Sequence, residues 1–136
     1  MKSISEFVEQ VTFSRKRTGV LLLNDPELLT DLENCGLKLI NLADLNFKNI
    51  ILTDDELISL ILGSAPKQPV VLLNLEVFLA PRFKDLKYLD YLLAKLVVKE
   101  PKMPIFFAFY SEIIFESFRN YYASQAATEN HIYEEY

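Results

Sequence analysis

Glycine is almost missing from this chain, with three residues in 136, at positions 19, 36 and 63. A loop that wraps a phosphate needs closely spaced glycines, so that backbone N–H groups can converge on the oxygens. No such loop can be built here. Cysteine is represented by Cys35 alone, which excludes an internal disulfide and fits a reducing cytoplasm. His131 is also single, so neither a histidine metal site nor a Ser–His pair has its partners; it reads as an exposed tail residue. Long apolar runs are absent as well. The longest uncharged stretch, Leu57 to Pro66, is about ten residues, too short for the ~30 Å of hydrocarbon in a bilayer. The opening Met1–Phe7 lacks the apolar segment of a secretory signal, so none is expected. Basic residues are outnumbered, 14 against 19 acidic, for a formal charge of −5. That balance argues against dominant nonspecific binding to DNA or anionic lipid.

What is present is one domain's worth of alternating helix and strand patterns. Ser3 with Glu6 forms a capping box before a helix whose inward face is Ile4, Phe7, Val8 and Val11. Gly19–Leu23 is a continuous apolar run, the mark of a strand covered on both faces. Asp25 as N-cap and Pro26 at the first helical position open a second helix with Leu28, Leu29 and Leu32 inward. Gly36 stands where its end needs a left-handed residue. Leu37–Leu42 is the next strand, and Ile50–Leu52 is a short strand candidate. Thr53 and Glu56 form a second capping box for a helix through Leu62. Pro69–Leu75 reads as the central strand, Asp85–Val98 as an amphipathic helix and Met103–Tyr110 as a further strand. Ser111 caps a last helix to about Tyr122. The pattern predicts a three-layer α/β domain over residues 1–123, with a mostly parallel sheet flanked by helices. Residues 124–136 form an acidic, Tyr-containing tail or edge strand.

Chemistry, if any, belongs at the carboxyl ends of such strands. Asn74 and Glu76 are the polar residues ending the Val70–Leu75 run, and Asp25 follows the first strand. If those two strands are neighbours, the three side chains form a degenerate nucleotide or metal site, and a metal-dependent hydrolase becomes an alternative. Asn is a weak replacement for a metal carboxylate, and the competing structural reading has Asn74 ending its strand and Glu76 paired with a cation such as Arg82. Arg15, Lys16 and Arg17 form the densest basic run; with Arg119 they make a small nucleic-acid adaptor the other alternative, or they contact an acidic partner. Residues 106–122 carry eight aromatic rings. A strand and one helix face should not bury all of them, so Tyr121 and Tyr122, with Tyr133 and Tyr136, are the expected protein contacts.

Several of these stretches resemble the small P-loop protein of type 3 BREX phage-resistance systems (BrxF). The likeness lies in Val70-Val-Leu-Leu-Asn-Leu-Glu-Val-Phe-Leu-Ala-Pro81, in Asp85 to Leu93, in Ile105-Phe-Phe-Ala-Phe-Tyr-Ser-Glu112, and in Tyr121-Tyr-Ala123 with His131–Tyr136. It covers roughly the second half of the chain. Two departures matter. The family's Gly-Lys-Ser/Thr loop is replaced by Asn24-Asp-Pro-Glu27, and its metal-binding Asp falls on Leu73. The resemblance therefore implies a P-loop-NTPase-like fold lacking the P-loop, without catalysis and without a cofactor. It implies a cytoplasmic pseudo-NTPase that acts as an interaction or regulatory subunit among the protein subunits of a prokaryotic defence system. Direct DNA binding is expected to be weak and membrane association absent, and homo-oligomerisation stays open.

Overall fold

A computed structural model describes residues 3–14, 16–44, 53–65, 67–79, 91, 92, 94, 95, 101–124 and 131–134. Its frame is an open five-stranded sheet, all parallel, in the order β2-β3-β4-β1-β5. The strands are β1 (Thr18–Leu22), β2 (Lys38–Asn41), β3 (Val70–Leu73), β4 (Ile105–Phe109) and β5 (Ile132–Tyr133). The helices are α1 (Ile4–Thr12), α2 (Glu27–Asn34), α3 (Asp54–Leu62), α4 (Glu76–Leu79) and α5 (Glu112–Ser124), with a 3-10 turn at Leu42–Asp44. Residues 91, 92, 94 and 95 are helical too.

Period-two alternation splits the strand side chains between two cores. Leu21, Val71, Leu73, Phe106 and Ala108 meet α1 and α2 on one face. Val20, Val70, Leu72, Ile105, Phe107 and Phe109 meet α3, α4, α5 and Leu92 on the other. Helices therefore cover both faces, which makes the fold a three-layer α/β sandwich. Gly19 allows α1 to lie close on the sheet: a Cβ there would sit 3.0 Å from Phe7 and 3.1 Å from Val11.

The local signals act as their chemistry dictates. Thr53 and Glu56 exchange both capping-box hydrogen bonds at the start of α3, and Ser3 Oγ accepts the Glu6 N–H. Gly36 has φ +86, and the Leu37 and Gly36 N–H groups bond the carbonyls of Leu32 and Glu33. These are the two bonds of a left-handed helix stop, with Leu32 and Leu37 both buried beneath it. The regular turns of α2 start at Glu27, one residue later than expected, yet Asp25 does cap them: its Oδ1 accepts the Glu27 N–H at 2.9 Å.

Three expectations are corrected. The central strand is β4, since β3 lies between β2 and β4, one place off centre. All five residues of β4 are fully buried, because helices cover both of its faces. Phe115, Phe118 and Tyr122 recur on the inward side of α5, so the aromatic stretch is mostly core after all. Burying each such ring contributes about 1.5–3 kcal/mol, so these residues form the energetic centre of the sheet. His131 is buried, not exposed: Nδ1 is 2.7 Å from the Thr18 carbonyl and Nε2 is 3.1 Å from Ser14 Oγ. Part of the tail is indeed an edge strand, since β5 pairs in parallel with β1 at Val20–Ile132 and Leu21–Tyr133. The strand expected at Ile50–Leu52 and most of the helix expected at Asp85–Val98 lie outside the described residues.

Candidate functional site

The crossovers locate the crevice. β1 leads to β2 through α2 on one face of the sheet, whereas β4 leads to β5 through α5 on the other. The two connections depart in opposite directions, so their loops separate above the adjacent carboxyl ends of β1 and β4. Open α/β sheets bind ligands at such a switch point. A cavity of about 420 Å³ lies there, lined by Leu23, Asn24, Asp25, Pro26, Leu29 and Tyr110. Its floor is fixed by the Leu23 N–H, which donates to the Phe109 carbonyl at 2.7 Å and continues the β1–β4 ladder past the last strand residue.

Only four residues, Leu23–Pro26, join β1 to α2. A phosphate-cradling loop is about twice as long and offers a row of free N–H groups. Here Pro26 has no N–H to offer, and the Glu27 N–H is already bonded to the Asp25 carboxylate. The start of α2 thus carries its own anion.

Asn74 and Glu76 bond partners of their own, at the ends of β2 and β4. β4 stands between β1 and β3, so Asp25 follows a strand two places from the one that Asn74 ends. The strands expected to be neighbours are therefore separated by β4, and Tyr110, just past its end, both lines the Asp25 cavity and bonds Glu76. Among the described residues, no three His, Cys, Asp or Glu side chains are grouped to hold a metal ion. Asn74 sits in the left-handed region at φ 61, which Asn tolerates better than most residues. Its Nδ2 donates to Asn41 Oδ1 at 2.7 Å, and the same oxygen accepts the Ala43 N–H at 3.0 Å. This amide pair joins the ends of β2 and β3. Glu76 reaches towards β4: its Oε2 accepts the Tyr110 N–H at 2.9 Å and, more weakly, the Ser111 N–H at 3.4 Å. Glu76 Oε1 is buried with no hydrogen-bond partner among the described residues. Arg82, its suggested partner, lies outside them.

The other sequence candidates fall elsewhere. Lys16 is half-buried, and Arg17 bonds the Lys102 carbonyl at 2.8 Å at the opposite edge of the sheet. Arg15 and Tyr136 are outside the described residues. Arg119 is 2.8 Å from Glu134. Tyr122 and Tyr133 are core residues and present no ring to a partner; Tyr122 shares a 2.7 Å hydrogen bond with Thr18 Oγ1. Burial holds the Tyr122 hydroxyl in its neutral form, far above the ordinary tyrosine range. Tyr121 is half-buried, edge-on to Tyr122 at 6.3 Å. Cys35, at the end of α2, has its thiol pushed up by burial and by Asp31 and Glu9, the opposite of an activated nucleophile.

The exposed apolar groups at the carboxyl edge escaped the sequence reading. Tyr110 is 53% exposed, Val77 57% and Ile113 70%. Tyr110 lines the cavity and is tied to Glu76, the residue before Val77, while Ile113 is in the first turn of α5. A ring placed directly after a fully buried strand was the available signal, since the chain must emerge at that point. Asn41 could have been found as well, because Asn-Leu follows an apolar strand both at 41–42 and at 74–75.

No family model, curated protein or solved structure matches this chain.

Proposed function

We propose that this chain is a non-catalytic domain of P-loop-like layout, a pseudo-NTPase that works by binding another protein. One observation carries the reading: the N-terminus of α2, where such a fold would take a phosphate, is filled by the Asp25 carboxylate on the Glu27 N–H. A triphosphate entering the crevice would meet the like charges of Asp25 and Glu27, with no lysine or arginine among the described residues lining the cavity to offset them. An all-parallel sheet with helices on both faces is the layout such a domain would have, an analogy at the level of fold alone.

The setting, an interaction or regulatory subunit of a prokaryotic phage-defence complex, draws its support from the sequence strings at 70–81 and 105–112. The rival readings have less behind them. The hydrolase needs Asp25 beside Asn74 and Glu76. The nucleic-acid adaptor needs a cluster that Arg17 and Arg119, each bonded elsewhere, do not form. Among the described residues, no helix is long and apolar enough to cross a membrane.

Melting with and without Mg·ATP tests the chemistry. A ligand of the native state present at a hundredfold its Kd adds about 2.7 kcal/mol, a rise of several degrees. The expected result is no rise, and a reproducible one would end the pseudo-NTPase reading. Tagged protein isolated from its native host should carry defence-system subunits with it, and recovery as a lone monomer would count against the setting.

A further inference from the structure

The cavity between β1 and β4 has a definite chemistry of its own. Resting on the protein-binding reading above, we propose that it receives an arginine side chain from a basic, aliphatic segment of the partner protein. Its volume of about 420 Å³ suits one long side chain, at the lower end of the ~300–1,000 Å³ usual for binding sites. Leu23, Pro26 and Leu29 give an apolar wall along which the methylene stem can lie. The Asp25 carboxylate supplies the charge, and its bond to the Glu27 N–H fixes its orientation before any ligand arrives. The half-exposed Tyr110 ring offers a face to a planar guanidinium, which a compact ammonium would use less well.

The surroundings select the same ligand. Glu27, next in sequence to the lining residue Pro26, and Glu112, two residues after Tyr110, are both exposed and add negative charge. An uncharged apolar side chain would fill the space but strip water from Asp25 without pairing it. Val77, Tyr110 and Ile113, each exposed in the segments that follow β3 and β4, offer apolar side chains to the aliphatic neighbours of the arginine.

Amide NMR on the full chain tests this, with acetyl-Ala-Leu-Arg-Leu-Ala-amide as probe and its citrulline counterpart as the uncharged control. Shifts should concentrate at Asn24, Asp25, Leu29 and Tyr110, and the citrulline peptide should bind about fivefold more weakly or worse. Asp25→Asn keeps an oxygen for the Glu27 N–H, so the fold is retained. It should weaken the arginine peptide by a similar factor and leave the citrulline peptide unchanged. Equal binding of the two peptides, or shifts confined to other residues, overturns the proposal. So does a dimer that Asp25→Asn dissolves, because the occupant is then a second copy. A parallel Mg·ATP titration separates the two levels of inference. Shifts at Asn24–Glu27 with ATP overturn the parent reading as well, whereas silence to both ligands overturns the arginine site alone.

Discussion

The two edges of the sheet are built on opposite terms. At the amino edge four hydrogen bonds tie polar side chains across long sequence distance. Thr18 bonds Tyr122 through its hydroxyl and His131 through its carbonyl, Ser14 meets the other His131 nitrogen, and Arg17 donates to the Lys102 carbonyl. The carboxyl edge instead leaves Tyr110, Val77 and Ile113 exposed, and Glu76 keeps a buried oxygen with no partner among the described residues. The first edge is closed by polar ties; the second has ties of its own, Asn74 to Asn41 and Glu76 to Tyr110, and adds exposed apolar side chains. The contrast teaches where substitutions should show themselves: in stability at the first edge, in binding at the second.

The largest way to break this division is Tyr122→Ala. It empties a buried ring site and orphans the Thr18 hydroxyl, and should cost about 3–5 kcal/mol in urea denaturation. The molecules that remain folded should still bind the arginine peptide with unchanged affinity; if they do not, the edges are coupled. His131→Ala should cost about 1–3 kcal/mol, because a buried carbonyl loses its partner. Amide exchange at residues 131–134 should quicken selectively, reporting the release of β5. Glu76 sharpens the comparison. Its alanine variant should lose about 1–2 kcal/mol with the Tyr110 N–H bond, while Glu76→Gln, which keeps an acceptor oxygen, should stay within about 0.5 kcal/mol of the parent. A large loss in Glu76→Gln would instead mark the carboxylate charge as part of the stabilising framework.

The smallest effect belongs to Glu56, fully exposed at the start of α3. The Thr53 N–H, and then the Thr53 side chain, hold its carboxyl below the ordinary 4.5. Its folded-state value is therefore depressed, so its contribution is present above 4.5 and fades as pH falls through the lower folded value. Glu56→Gln should remove that slice of acid dependence in melts taken across pH 3–5 and leave the amino edge untouched; an unchanged acid limb would contradict the assignment.

What could be read in the sequence was whatever depends on near neighbours. The Thr53–Glu56 box, the Asp25 cap and the Gly36 stop each involve residues within a few positions, so the helix ends were legible. The layer class followed from the alternation of apolar periods. Strand order did not, because it depends on which distant segments pair, and a single inserted strand separated Asp25 from Asn74 and Glu76. The same blindness misjudged the aromatics: Phe106 to Phe109 look excessive only until β4 is known to lie in the middle. The polar tail gave no hint that His131 would be drawn in by the Thr18 carbonyl. At the crevice, Asn24-Asp-Pro-Glu27 signalled a short turn capped by its own carboxylate, but the arrival of Tyr110 beside it required the fold.

The pairing of β1 has a consequence for how the polypeptide is made. Thr18 waits for Ile105, and Leu21 for Tyr133, so β1 leaves the ribosome long before either of its neighbours. β2 must likewise await Val70. Such distant closures slow folding and leave an apolar ribbon uncovered during synthesis. A nascent chain stalled before residue 105 should thus be a good client for holding chaperones, and release from them should coincide with completion of β4.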